Sequence, residues 1–197
     1  LGVDAVFEAL EAQGACEYRA CSSVHPDPQD LAWADAVVLV RGASPSEYRL
    51  LNEAQRLGRR VATYMDDDLE AVPPEVRSGY FFTSTTVQRL LGEILRQVDL
   101  VCTTREELSE VLSERHGIDP RVLRQPRPAA STLADQDKAT PAEGSSRTKV
   151  RVGFLGSVDH AAFLDQLLRA PLASLASDLG DQVEFVFCGA VPEFARE

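Results

Sequence analysis

The segment KVRVGFLGSVDH, residues 149–160, combines residue types that bind phosphate in α/β proteins. Its apolar residues predict a β-strand that runs into Gly156 and Ser157, where a helix begins. Glycine lets a backbone approach a phosphate closely, and a helix start offers free N–H groups with partial positive charge. His160 falls in the first helical turn, where it can donate to a phosphate or hydroxyl. A tight strand-to-helix turn with an exposed histidine would give the same pattern.

The acidic run Asp66–Asp68, which follows a predicted strand, is a second candidate site. Three adjacent carboxylates repel one another and need a compensating partner. Asp66 and Asp68 could hold a divalent metal, or the carboxylates could bind hydroxyl groups of a ligand. A helix N-cap beside solvated acids would also account for the run. Arg41 ends the preceding strand and is placed to pair with an anionic ligand or with these acids.

Other polar residues are given no catalytic role. Arg124 and Arg127 could reach an anionic ligand or could belong to a solvated segment. His25 lies in a proline-rich loop, and His116 ends a predicted helix, where its charge suits the helix dipole. The chain lacks the G-x-S-x-G, G-x-x-x-x-G-K-[ST] and H-E-x-x-H motifs of serine hydrolases, P-loop enzymes and zinc proteases.

The elements that must position these residues alternate between strands and helices. Strands are predicted at 36–40, 61–64, 100–102, 121–123, 150–154 and 183–187. The continuous apolar run at 36–40 predicts a strand buried on both faces of a parallel sheet. Ser44 and Glu47 predict a capping box for the next helix, and Thr103 with Glu106 predicts another. The pattern is typical of a Rossmann-like α/β fold, a parallel sheet with flanking helices.

The composition changes twice along the chain, which predicts two domains. Residues 1–125 are expected to form an N-terminal Rossmann-like domain, and residues 126–148, rich in Pro, Ala, Ser and Thr, a flexible linker. Residues 149–197 are expected to begin a second Rossmann-like domain, with helices near 160–169 and 172–179. No strand precedes the first predicted helix and the second domain stops early, so we expect a piece of a longer protein.

The size and net charge of the chain disfavour several classes of function. The chain has 197 residues, 44% of them hydrophobic, which supports a packed core and argues against disorder. A net charge of -11 disfavours nucleic-acid binding. No apolar run approaches the roughly 20 residues that a membrane-spanning helix needs. The four cysteines match no common zinc pattern and are expected to be reduced, in a cytoplasmic protein.

Four segments in this order resemble the group 1 glycosyltransferases of the two-Rossmann-domain (GT-B) type. They are VVLVRG with the helix that follows, VATYMDDDL, DLVCTTREELSEVL and VRVGFLGSVDH, and the resemblance covers most of residues 35–190. It implies transfer of a sugar from a nucleotide-sugar donor to the hydroxyl of a saccharide or other acceptor. Such enzymes usually retain the anomeric configuration and need no essential metal, so the resemblance implies no cofactor.

The same resemblance assigns roles to particular residues. Gly156 and Ser157 would approach the donor diphosphate, with His160 beside it, whereas Arg41 and Asp66–Asp68 would face the acceptor. The chain departs from the family pattern at Asp159, where members often carry threonine, and at 125–126, where Gln-Pro replaces Asn-Pro. The paired glutamates and the basic residue that grip the donor in the family would lie beyond residue 197.

Two other functions remain open at this point. A metal-dependent sugar transferase of the single-domain type would use Asp66 and Asp68 to hold a metal on the donor diphosphate. A non-catalytic Rossmann-like binding domain would carry a degenerate site. A nicotinamide-dependent oxidoreductase is disfavoured because the glycine spacing is not G-x-G-x-x-G.

Overall fold

The computed structural model describes residues 2–76, 78–123 and 149–196. The predicted linker at 126–148 therefore lies outside the described residues, as do Arg124 and Arg127. The chain divides into two compact units, Leu1–Ala71 with Phe82–Pro126 and Val72–Phe81 with Arg127–Glu197. Within the described ranges, no helix has the length and apolar character needed to cross a membrane.

The described elements confirm the α/β class. The strands are β1 (Ala36–Val40), β2 (Arg60–Met65), β3 (Leu100–Thr103), β4 (Arg121–Val122), β5 (Val150–Gly156) and β6 (Val183–Gly189). The helices are α1 (Gly2–Ala12), α2 (Pro28–Trp33), α3 (Pro45–Arg56), α4 (Gly79–Phe82), α5 (Thr85–Gln97), α6 (Glu106–His116) and α7 (Ala161–Leu179). Short 3₁₀ turns lie at Val158–His160, Gly180–Gln182 and Glu193–Ala195.

The first unit is a parallel sheet flanked by helices. Its strand order is β1-β2-β3-β4, and each neighbouring pair is parallel. The apolar stripes of α3 and α5 pack on one face of this sheet. The core cluster there consists of Leu31, Leu39, Leu50, Leu51, Ala54, Val61 and Ile94. Because consecutive parallel strands end at the same edge, the residues that follow β1 and β2 are brought together.

The prediction that β1 is buried on both faces is wrong. Leu39 is 3% exposed, but Val38 and Val40 are 38% and 50% exposed. Leu39 packs in the core cluster with residues of α3, whereas Val38 and Val40 lie on the opposite face of the strand. β1 is also the edge strand of the described sheet. A continuous apolar run indicates that a strand can be buried, but it does not say where in the sheet that strand lies.

The start of α3 confirms the predicted capping box. Ser44 Oγ accepts a hydrogen bond from the backbone N–H of Glu47, and the Glu47 carboxylate accepts one from the backbone N–H of Ser44 at 2.7 Å. Pro45 occupies the first turn, and Gly58, with φ of 72°, follows the end of the helix. These contacts fix the direction in which the chain leaves the Arg41 end of β1.

We expect the substitution Ser44→Ala to lower the free energy of unfolding by about 1 kcal/mol, because the Glu47 N–H loses its acceptor. Urea unfolding followed by circular dichroism measures the change. Ser44→Thr is the matched control, since it keeps a hydroxyl acceptor and should change stability much less. Equal losses in the two variants would contradict the capping role.

Two predictions about helix boundaries are wrong. The helix α6 begins at Glu106 without a side-chain cap, because Thr103 is buried at the end of β3 and its hydroxyl lies 3.4 Å from the Arg105 carbonyl. The two helices expected at 160–169 and 172–179 form one helix, α7, with Pro171 inside it. A proline removes one backbone hydrogen bond, and the remaining turns of α7 continue the helix on both sides.

The second unit contains a parallel β–helix–β motif. β5 and β6 pair in parallel from Val150 opposite Val183 to Gly156 opposite Gly189, and α7 connects them. They form a sheet separate from that of β1 to β4.

Candidate functional site

The carboxyl ends of β1 and β2 bring Arg41 together with two of the three acids. Arg41 Nε lies 2.5 Å from Asp66 Oδ1, and Nη2 lies 2.6 Å from Asp66 Oδ2, which makes the pair bidentate. Nη2 also lies 2.9 Å from Asp67 Oδ2. All three side chains remain partly exposed, Asp67 the most at 57%. Of the two partners that the sequence left open for Arg41, an anionic ligand or the neighbouring acids, Arg41 contacts the acids.

Arg41 itself has an unusual backbone. Its φ is 56°, and it is the one residue other than glycine with positive φ among those described. The left-handed region costs an L-residue about 1–2 kcal/mol. The Arg41 N–H donates to the Tyr64 carbonyl at 2.9 Å, and the side chain is fixed by Asp66. Strain of this kind concentrates at functional sites, which makes the Arg41 turn a candidate one.

Asp68 pairs with a different arginine from Asp66 and Asp67. Its carboxylate pairs with Arg115 at the end of α6, at 2.9 Å and 3.1 Å, and Arg115 Nη1 also lies 2.6 Å from Glu70 Oε2. The Nε2 atom of His116 lies 2.8 Å from the same Glu70 oxygen. The His116 side chain is 5% exposed, and its Nδ1 is buried without a hydrogen-bond partner in the described part of the chain.

The two arginines keep the acids ionised. Burial tends to raise the pKa of Asp66, but the hydrogen bond and charge of Arg41 lower it more, so the pKa lies below its ordinary value. Burial acts in the same direction on Asp68, and Arg115 outweighs it, so the pKa of Asp68 is lowered too. Both carboxylates are therefore acceptors and not proton donors at neutral pH.

The arrangement of the acids does not resemble a metal centre. The oxygens of Asp66 and Asp68 are directed to different arginines. Across residues 2–76, 78–123 and 149–196, no three His, Cys, Asp or Glu side chains form a group that could hold a metal ion. A divalent cation on Asp66 and Asp68 would first have to displace Arg41 and Arg115.

The second unit places the predicted phosphate-binding residues in one turn. Gly156 ends β5, Ser157 follows it, and the 3₁₀ turn Val158–His160 leads into α7. Ser157 Oγ and His160 Nδ1 lie 3.2 Å apart, within hydrogen-bond distance. The His160 backbone N–H donates to the Ser157 carbonyl at 3.1 Å. The ring of Phe154 stands edge-on to the imidazole, with ring centroids 6.4 Å apart.

Gly189 completes this edge of the two-stranded sheet. It ends β6 opposite Gly156 and has φ of 85°. A Cβ atom on Gly189 would lie 2.0 Å from the Gly156 carbonyl oxygen, so a side chain has no room there. The Ala190 N–H donates to the same oxygen at 2.9 Å. The two loops that follow β5 and β6 are thus in direct contact.

A large surface cavity of the first unit lies apart from these residues. It has a volume of about 680 Å³ and is lined by residues of α1, the stretch 15–21, α2 and β1. None of Arg41 and Asp66–Asp68 lines it. Asp66–Asp68 are partly exposed and lie outside this cavity.

Several residues of these sites were missed in the sequence. Glu70, Arg115 and Gly189 were given no role, and His116 was placed at a helix end without its contact to Glu70. The run of three acids indicates that Asp68 needs a cation beside it. No neighbouring residue in the sequence identifies that cation as Arg115, which lies 47 positions away. A glycine directly after the apolar strand FVFC was the one available signal for Gly189.

The cysteines form no disulfide. Cys16, Cys21, Cys102 and Cys188 are free thiols; of the two that lie in strands, Cys102 is buried and Cys188 is exposed. Burial raises the pKa of the Cys21 and Cys102 thiols, so neither is an activated nucleophile.

Comparisons with family models, with curated proteins and with solved structures give no match to this chain.

Proposed function

We propose that the protein is a glycosyltransferase that moves a sugar from a nucleotide-sugar donor to an acceptor hydroxyl. The observation that carries the proposal is the turn at Gly156, where glycine, serine and histidine meet at the carboxyl end of a parallel strand. Ligands of open α/β sheets bind outside the carboxyl ends of the strands. The resemblance to group 1 glycosyltransferases of the GT-B type supplies the substrate class, and no cofactor is needed.

In this proposal the donor diphosphate lies against Gly156 and Ser157. Negative charge develops on the diphosphate as the sugar leaves, and hydrogen-bond donors already aimed at it stabilise that charge. Backbone N–H groups at the start of the turn and the Ser157 hydroxyl can donate to it. His160 lies within hydrogen-bond distance of Ser157 and is exposed, so it can orient the hydroxyl or donate to the ligand.

The acceptor is proposed to bind at Arg41 and Asp66–Asp68. Ionised carboxylates accept hydrogen bonds from hydroxyl groups, and Asp67, at 57% exposure, is the most accessible of them. A saccharide or another polyhydroxylated acceptor suits this surface. The net charge of -11 argues against a nucleic-acid partner. We place the protein in the cytoplasm, on the strength of its free thiols.

One observation favours a second function, that of a non-catalytic Rossmann-like binding domain. Arg41 pairs with Asp66 and Asp67, and Arg115 pairs with Asp68, so these charged groups already satisfy one another. A degenerate site would keep such ion pairs as structural contacts. The metal-dependent alternative has weaker support, because the same ion pairs occupy the oxygens that a metal would need.

We expect Gly156→Val to weaken the binding of nucleotide-sugars at least about tenfold, because its side chain fills the space that a phosphate would approach. An added Cβ meets the Phe154 ring, at 2.7 and 2.8 Å, and the Nδ1 atom of His160, at 3.4 Å; the close contacts are to the far end of a side chain that can turn aside, so the fold should survive. Titration of the protein with UDP-, GDP-, ADP- and CMP-sugars measures the loss.

Gly153→Val is the matched control for this titration. Gly153 lies in the same strand, and a Cβ atom there meets nothing within 4 Å. The control should keep the affinity of the wild type. Unchanged donor affinity in a folded Gly156→Val variant would refute the phosphate-binding role, and a wild type that binds no nucleotide-sugar would favour the non-catalytic domain.

A further inference from the structure

We infer that Asp165 is a positioning residue for the Gly156 turn, because it holds the loop after β6 in place beside that turn. This inference rests on the proposed function and extends it to a residue that contacts no donor. The loop that follows β6, residues 190–195, ends in a 3₁₀ turn and is named the β6 loop.

The far end of the β6 loop lacks a cap of its own. The 3₁₀ turn Glu193–Ala195 begins after Pro192, whose side chain offers no acceptor. Its first backbone N–H groups therefore need an acceptor from elsewhere. Asp165, in the first half of α7, supplies it: the Glu193 N–H donates to Oδ2 at 2.8 Å, and the Phe194 N–H donates to Oδ1 at 3.3 Å.

The Asp165 carboxylate is well suited to this contact. Its two oxygens accept from two successive N–H groups, and hydrogen bonds to an ionised acceptor are about twice as strong as neutral ones. The bond from the Glu193 N–H, above all, lowers the pKa of Asp165, so the group stays ionised at neutral pH. Arg169, one turn further along α7, lies 3.6 Å from Asp165 Oδ1 and stacks over the Phe194 ring at 5.4 Å.

The near end of the β6 loop is fixed to the candidate site itself. The Ala190 N–H donates to the Gly156 carbonyl at 2.9 Å, and Gly189 packs directly on that oxygen. Ala190 and Pro192 are almost fully buried. The loop is therefore held at two points, one on Gly156 and one on α7, the helix that begins at the candidate site.

This geometry makes Asp165 control the shape of the site without touching a ligand. A diphosphate on Gly156 and Ser157 would lie at the edge of the sheet where the β6 loop also runs. If the contact to Asp165 is lost, the loop is held only at Ala190, and the position of Gly156 is less well defined. Small displacements of binding groups have large effects on affinity and rate.

The test compares Asp165→Ala with the wild type in the whole protein, at pH 7. We expect amide hydrogen exchange at Glu193 and Phe194 to become faster, since both N–H groups lose their acceptor. The dissociation constants for UDP, GDP and ADP, measured by calorimetric titration, should rise roughly tenfold for whichever of these probes the wild type binds. Asp165→Glu, which restores a carboxylate, should recover part of that affinity.

Asp178→Asn is the control for a general effect on α7. Asp178 lies on the same helix and is exposed, and its side chain has no hydrogen bond or ion pair among the described residues. The Asp178→Asn substitution should leave the amide exchange at Glu193 and Phe194, and the affinity for the nucleoside diphosphates, unchanged. The positioning role would be overturned if amide exchange became faster in Asp165→Ala while the affinity for the nucleoside diphosphates stayed the same. Unchanged amide exchange at Glu193 and Phe194 would overturn it as well. A folded wild type that binds none of the three probes would instead contradict the proposed function.

Discussion

Replacing Gly189 with alanine is expected to destabilise the second unit by about 3 kcal/mol or more. The added Cβ would lie 2.0 Å from the Gly156 carbonyl oxygen, and the backbone φ of 85° already disfavours any side chain. The three nearest atoms all belong to the Gly156 backbone, so no flexible group can turn aside and β5 and β6 would have to separate. Thermal unfolding, together with the amide signals of β5 and β6 in NMR spectra, measures the loss.

Gly153→Ala is the matched substitution for this prediction. Gly153 lies in the middle of β5, where a Cβ atom has open space and φ is not positive. Alanine there should be neutral or slightly stabilising, because it reduces the freedom of the unfolded chain. A Gly189→Ala variant as stable as Gly153→Ala would mean that the close contact between the two loops is not part of the native fold.

Replacing Arg115 with alanine is expected to cost about 2 kcal/mol of stability at neutral pH, less than for a fully buried ion pair because Arg115 is partly exposed. Arg115 pairs with both Asp68 and Glu70, whose side chains are 24% and 12% exposed. Its removal leaves these two carboxylates without the cation that they share. Urea unfolding of the whole chain at pH 7 measures the change.

The pH dependence provides a second test of Arg115. The pKa of Asp68 is lower in the folded than in the unfolded chain. Its contribution to stability is therefore present above the unfolded pKa of about 3.9 and is lost as the pH falls through the folded value. The stability difference between the wild type and Arg115→Ala should shrink in that range, whereas a difference independent of pH would contradict the ion pair.

Arg56→Ala serves as the surface control for Arg115. Arg56 pairs with Glu53 one turn away on α3, at 2.6 Å, with both side chains well exposed. Solvent screens such an exposed pair, so the loss of Arg56 should change stability little. The comparison separates the effect of leaving the acids at Asp68 and Glu70 uncompensated from the general effect of removing a positive charge.

Local sequence patterns predicted most of the elements well. The strand at Ala36–Val40 and the helix that begins at Pro45 coincide with their predictions, because an apolar run and a capping box involve residues only a few positions apart. The same kind of pattern gave a wrong prediction at Thr103, whose spacing to Glu106 is that of a capping box. Thr103 is buried in the sheet instead, so tertiary packing determined the role of its hydroxyl.

The candidate sites were only partly predictable. Arg41 and Asp66 follow neighbouring parallel strands, so their proximity was a direct consequence of the sheet. The separation of Asp68 from Asp66 was not predictable, because it depends on how the end of α6 approaches residue 68. The same is true of Asp165, whose acceptor role depends on a loop 28 residues further along the chain.

The sequence by itself determined the alternation of strands and helices, the bounds of α3 and the gathering of glycine, serine and histidine in one turn. These features depend on hydrogen bonds and apolar periodicity between near neighbours. The tertiary structure alone decided that β1 is an edge strand, that the three acids divide between two arginines, and that Gly189 packs on Gly156. Such contacts join residues far apart in the chain, and only the packed sheet and its helices fix which of many possible partners meet.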